Sequence, residues 1–169
     1  MRAIRSAVCL VMLCLTTTAT CWAADAPSRP ATKQDLIGTW RLVSVRPVHD
    51  ANDPTFFPYQ QFQFNSNASM KFISSETALT KEWQDKFQKQ PSEIDFTVND
   101  RGILTLTWSK LAHSENAVTS FVLRDVPQEL LLKMSPEARK GLPKKGNITL
   151  SFLNSKGKIA YQKVLERIA

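Results

Sequence analysis

The sequence predicts an all-β protein, an up-and-down antiparallel barrel of eight strands. Short segments of alternating apolar and polar residues recur along the chain, and turn-forming residues separate most of them. Most connections are short enough for sequential strands to pair. The predicted strands span residues 36–46, 60–65, 69–75, 93–98, 103–108, 117–124, 147–153 and 158–168. An open sandwich is the alternative, although it needs longer crossovers. Eight strands enclose an interior that side chains fill or that holds one small ligand.

Residues 1–23 have the pattern of a secretory signal. Arg2 and Arg5 precede an apolar run from Ala7 to Leu15, and cleavage is predicted after Ala23. The run is too short to anchor the chain in a bilayer, so the expected location is periplasmic or secreted. All three cysteines lie in this segment. The remaining chain therefore excludes disulfides, cysteine nucleophiles and Cys-ligated zinc.

The rest of the chain is predicted to form one domain. Residues 24–34 contain Pro27 and Pro30 and are expected to be a flexible leader, and residues 35–169 form the barrel. Gly38 opens the first long strand, where it lets the backbone turn or approach another segment closely. Trp40 follows and is large enough to close one end of a barrel.

One segment changes from the strand period to the helix period. Leu79, Trp83 and Phe87 recur every four residues among polar side chains, which predicts an amphipathic helix over 77–89 between the third and fourth strands. These three residues either form a lid over the open end or pack on the barrel wall. Later, residues 128–134 form a short helix or an irregular strand extension. Pro136 begins a second short helix before the last hairpin.

The predicted barrel interior is the main candidate binding site. Eight side chains fall on the apolar faces of the strands: Phe62, Phe64, Phe72, Phe96, Leu106, Trp108, Phe152 and Tyr161. They form either a close-packed core or an apolar cavity for a small hydrophobic or amphipathic ligand.

The sequence offers no convincing catalytic group. Ser109, His113 and Glu115 lie too close together in one loop to reach the geometry of a catalytic triad. No phosphate-binding loop or dinucleotide fingerprint occurs. We therefore expect no enzymatic activity and no cofactor.

A metal site is not expected either. His49, Asp50, Asn52 and Asp53 supply oxygen and nitrogen ligands within one loop. The glycine and the distal glutamate of a calcium loop are missing, so an ordinary turn is favoured.

The last quarter of the chain is rich in basic residues, in a protein of formal net charge +7. They are Lys133, Arg139, Lys140, Lys144, Lys145, Lys156, Lys158, Lys163 and Arg167. They form a solvated face or attract an anionic membrane surface or an acidic protein. The alternative to ligand binding is therefore a periplasmic interaction or inhibitor module. Nucleic acid is not an expected partner of an exported protein.

The segment Asp-Leu-Ile-Gly-Thr-Trp-Arg-Leu-Val-Ser at residues 35–44 resembles the start of small bacterial lipocalin-like proteins of the calycin group. It contains the Gly-x-Trp signature, here Gly38 and Trp40. The resemblance implies that Trp40 packs across the barrel floor beneath a last-strand arginine, Arg167, with Lys163 as the alternative. It also implies an exported binding protein rather than an enzyme.

Two features depart from this family. Typical lipocalins place their main helix after the last strand, whereas here it is predicted between the third and fourth strands. Related intracellular fatty-acid-binding barrels hold a carboxylate with an Arg-x-Tyr pair on the last strand. Tyr161 is present, but Ile159 occupies the place of the arginine.

Overall fold

The structure is a computed structural model that describes residues 27–168. The predicted signal, residues 1–23, lies outside the described residues. The helices are α1 (Lys33–Leu36), α2 (Lys81–Lys89), α3 (Gln128–Leu132) and α4 (Pro136–Arg139). The strands are β1 (Ser28–Pro30), β2 (Gly38–Arg46), β3 (Tyr59–Phe64), β4 (Ser69–Ser75), β5 (Ile94–Val98), β6 (Ile103–Trp108), β7 (His113–Val122), β8 (Ile148–Leu153) and β9 (Ile159–Arg167).

Eight of these strands close into an antiparallel barrel. The order of hydrogen-bonded neighbours is β7-β6-β5-β4-β3-β2-β9-β8, and β8 pairs with β7 to complete the ring. The predicted all-β, lipocalin-like barrel with short inserted helices is therefore confirmed. Closure pairs every strand of the ring on both sides, although β4 and β5 share only two paired positions.

The core lies inside this ring, because alternate residues of each strand point inward. Removing these apolar side chains from water is the main favourable contribution to folding. Within the described residues, the buried core cluster comprises Leu36, Trp40, Phe62, Phe64, Met70, Ile94, Phe96, Leu104, Leu106, Ala117, Ile148, Leu150, Phe152 and Leu165.

The described part of the predicted leader, residues 27–34, is structured. Ser28–Pro30 pairs with residues 120–122 as an additional strand outside the ring. Thr32 and Asp35 then form a capping box at the start of α1. Arg29 also donates to both oxygens of Asp35, each at 2.7 Å, and holds the pKa of that carboxyl far below its usual range. Pro27 and Pro30 led to the prediction of a flexible leader. Proline is nevertheless compatible with an edge strand, and Pro30 lies in one here.

Two elements begin four residues away from their predicted start. Helix α2 begins at Lys81 rather than at residue 77, because the Thr80 hydroxyl accepts from the Trp83 backbone amide at 3.4 Å and caps the helix. Strand β7 begins at His113 rather than at residue 117. Its first residue, His113, already pairs with Trp108 at the end of β6. Among residues 27–168, no helix has the length and apolar character needed to cross a membrane.

Candidate functional site

One end of the barrel is closed by Trp40. Its side chain is fully buried, and its Nε1 donates to the Leu36 carbonyl at 2.6 Å. The Arg167 guanidinium lies 4.6 Å from the centre of the Trp40 ring system and donates to the carbonyls of Ile37 and Asp35 at 2.9 and 2.8 Å. Gly38 has φ 132°, a conformation that L side chains rarely adopt. The expected Trp–Arg arrangement is thus present, with Arg167 rather than Lys163 as the partner.

Further back along β9, the barrel interior contains a cavity of about 80 Å³. It is lined by Thr55, Phe62, Met70, Phe72, Leu106, Trp108, Glu115, Phe152, Tyr161 and Lys163. Six of the eight predicted interior residues are therefore brought together around it. The other two, Phe64 and Phe96, pack edge to face at 5.1 Å within the core and do not line the cavity.

The predicted interior set did not include Lys163, nor the other lining residues Thr55, Met70 and Glu115. The Lys163 side chain is only 3% exposed, so it is not part of the basic surface to which the composition assigned it. The Nζ donates to Gln60 Oε1 at 2.8 Å. Four aromatic rings surround it at 5.3–5.7 Å, those of Phe62, Phe72, Phe152 and Tyr161.

The surroundings of Lys163 act on its charge in opposite directions. Burial lowers the pKa of the Lys163 ammonium to about 8, and the carboxylates of Glu115 and Asp53 partly oppose this shift. The aromatic faces also favour the charged form. Burial raises the pKa of the neighbouring Tyr161 phenol above its usual value, so that group stays neutral. The cavity thus contains a largely protonated amine at neutral pH.

The loop over residues 47–58 fixes the amide that contacts this amine. Gln60 Nε2 donates to the carbonyls of Thr55 and Phe57 at 2.9 and 2.7 Å, which directs Oε1 towards Lys163. Thr55 lies in a 3-10 turn, Pro54–Phe56, and Phe57 directly follows this turn. The turn is capped by Asp53, whose carboxylate accepts from the Thr55 backbone amide at 2.8 Å.

The predicted lid residues do not line the cavity. Phe87 is buried, Leu79 is partly buried and Trp83 is 46% exposed. Helix α2 lies beside β4, where Lys71 Nζ donates to the Gln88 carbonyl at 2.8 Å. Thr55, from the 47–58 loop, lines the cavity instead.

A second cavity of about 140 Å³ lies beside the first, where β4 and β5 separate. Their ladder joins only Ser69 with Asp95 and Met70 with Ile94, although β4 continues to Ser75. Three residues line both cavities: Met70, Phe72 and Trp108. These side chains therefore form the partition between the interior and the side of the barrel.

The groups considered for catalysis do not form a catalytic arrangement. Ser109 Oγ donates to Asp95 at 3.1 Å, and His113 Nε2 lies 3.3 Å from Glu115 Oε1. The serine is thus engaged by a different carboxylate from the one beside the histidine.

The groups considered for a metal form hydrogen bonds within their loop or to strand β9. His49 Nε2 lies 2.9 Å from the Ala160 carbonyl, and Asp50 accepts from the Asn52 backbone amide at 2.9 Å. Across residues 27–168, no group of three or more His, Cys, Asp or Glu side chains is placed to hold a metal ion.

Comparisons with known proteins add no family assignment. No protein family matches the sequence, and no curated protein or solved structure matches it. The closed eight-stranded antiparallel barrel is consistent with a lipocalin-like, or calycin, fold.

Proposed function

We propose that the protein binds a small hydrophobic or amphipathic molecule inside the barrel. The observation that supports this most directly is the 80 Å³ interior cavity, whose wall is mainly aromatic and aliphatic. An apolar cavity with a few polar groups is the usual form of a small-molecule site. Thr55, Glu115, Tyr161 and Lys163 supply the polar groups here.

The volume limits the part of the ligand that can be enclosed. An engineered apolar cavity of about 150 Å³ accommodates benzene. The cavity here is smaller, at about 80 Å³, and therefore suits a short alkyl group. A longer ligand must extend beyond the cavity, either past Thr55 or through the partition formed by Phe72 and Trp108.

The test is a titration with butan-1-ol, monitored by NMR through the Trp108 indole signal. We expect a saturable shift in the unmodified protein, because Trp108 lines the cavity. Thr55→Trp should abolish the shift by filling the space beside the 3-10 turn. Its matched control, Thr77→Trp, places the same side chain at an exposed position before α2 and should leave the shift unchanged.

A linear, non-saturating response in the unmodified protein would contradict the proposal. So would equal binding by the Thr55→Trp and Thr77→Trp variants, since the probe would then be bound elsewhere.

A further inference from the structure

We propose that Lys163 binds the carboxylate of the ligand, so that the barrel selects short monocarboxylates over neutral molecules of the same length. This inference rests on the proposed function, because it names the ligand class for the same cavity. Its basis is the geometry around the Lys163 Nζ, which leaves part of the ammonium without a hydrogen-bond acceptor.

The ammonium of Lys163 has more donors than acceptors around it. A lysine ammonium carries three N–H donors. Among the described residues, Gln60 Oε1 is the acceptor within hydrogen-bonding distance, at 2.8 Å. Leaving donors of a buried charge unpaired is energetically costly. A carboxylate in the adjoining cavity would accept the remaining hydrogen bonds and neutralise the charge.

The aromatic rings make the same site suitable for an alkyl chain. Phe62, Phe72 and Phe152 lie 5.3–5.7 Å from the Nζ and also line the cavity. Their faces interact with the cation, and the rest of their surface is apolar. A short fatty acid carries the complementary pair of groups, one anionic end and one apolar end.

Two carboxylates limit the charge that the site accepts. Glu115 lines the cavity, and Asp53 acts on the Lys163 charge from the cap of the 3-10 turn. The Glu115 side chain is 38% exposed and lies beside His113, so solvent screens it partly. Every anion in the cavity meets one buried cation and two carboxylates, and these carboxylates repel a dianion such as phosphate about twice as strongly as a singly charged carboxylate. The geometry therefore points to monocarboxylates.

The experiment compares butanoate with butan-1-ol at pH 7 in low salt, using the same NMR reporter. Because charge-assisted hydrogen bonds are about twice as strong as neutral ones, we expect butanoate to bind at least about tenfold more tightly. Lys163→Met should remove this preference, because butanoate binding should weaken far more than butan-1-ol binding. The matched control, Lys156→Met, changes an exposed lysine in the turn before β9 and should keep the preference.

A second measurement avoids dependence on any variant. The affinity of the unmodified protein for butanoate should fall as the pH rises from 7 to 10, whereas its affinity for butan-1-ol should stay constant. Equal affinities for the two probes at every pH would overturn the carboxylate inference and leave the proposed function intact. Failure of both probes to bind would overturn the proposed function itself.

Discussion

The floor and the interior of the barrel both place a cation on aromatic rings, but with different consequences. At the floor, Arg167 lies over Trp40 and donates to two backbone carbonyls from an exposed position. In the interior, Lys163 is buried among four rings and contacts one side-chain oxygen. The floor cation is satisfied by the protein and serves the fold. The interior cation keeps unused donors, on which the proposed binding of a carboxylate depends.

The largest expected effect in this comparison belongs to the floor. Trp40→Ala removes the largest fully buried side chain of the core and its hydrogen bond to Leu36. We expect the free energy of unfolding to fall by about 3–5 kcal/mol, measured by chemical denaturation. The matched control is Trp83→Ala, at a position that is 46% exposed, where the loss should stay below about 1 kcal/mol. Equal losses in the two variants would show that Trp40 does not close the barrel.

The interior cation should instead make stability depend on pH. Burial lowers the pKa of folded Lys163 to about 8 from an ordinary value of 10.5, so between these values the unfolded chain binds more protons. Stability should therefore increase as the pH rises, by about 2 kcal/mol between pH 8 and 10. Above pH 10, the raised pKa of buried Tyr161 acts in the opposite direction, because only the unfolded phenol loses its proton.

Denaturation curves at pH 7, 8, 9 and 10 would measure this contribution. Lys163→Met should remove the rise, and Lys156→Met should retain it. Glu115 and Asp53 act on the same ammonium, so both carboxylates must remain in these variants. A rise that persists in Lys163→Met would assign the pH dependence to other groups.

The smallest expected effect concerns the carboxylate on the cavity wall. Glu115→Gln removes a negative charge that lines the cavity while keeping a similar shape. We expect butanoate to bind about threefold more tightly in low salt, because repulsion with the bound anion is lost. Butan-1-ol should bind equally to both proteins. Asp100→Asn, in the exposed turn before β6, is the charge-matched control and should change neither affinity.

The alternation of the strands made much of this site predictable. It identified the cavity-lining residues Phe62, Phe72 and Phe152, because every second residue of a strand shares a face. The same rule applies to Lys163, which lies between Tyr161 and Leu165 on β9. The sequence analysis grouped Lys163 with the surface lysines because of its charge, and this placed it wrongly in solvent. Closure of the ring and the Trp40–Arg167 arrangement were also predictable from strand order and from the Gly-x-Trp resemblance.

Other features depend on contacts between distant segments. The strand Ser28–Pro30 is too short for a periodic signal and exists through its pairing with β7. The orientation of Gln60 depends on two carbonyls of a loop without regular periodicity. The helical period of Leu79, Trp83 and Phe87 predicted a helix correctly. This period could not show whether the helix covers the open end of the barrel or packs on its wall.

The hydrogen bonds of Gln60 also connect the 47–58 loop to the buried charge. One end of this amide is held by the carbonyls of Thr55 and Phe57, and the other contacts Lys163. Loop position and ammonium solvation are therefore thermodynamically linked. A ligand that strengthens or replaces the Gln60–Lys163 hydrogen bond changes the free energy of loop opening. By reciprocity, loop opening changes the affinity for that ligand by the same amount.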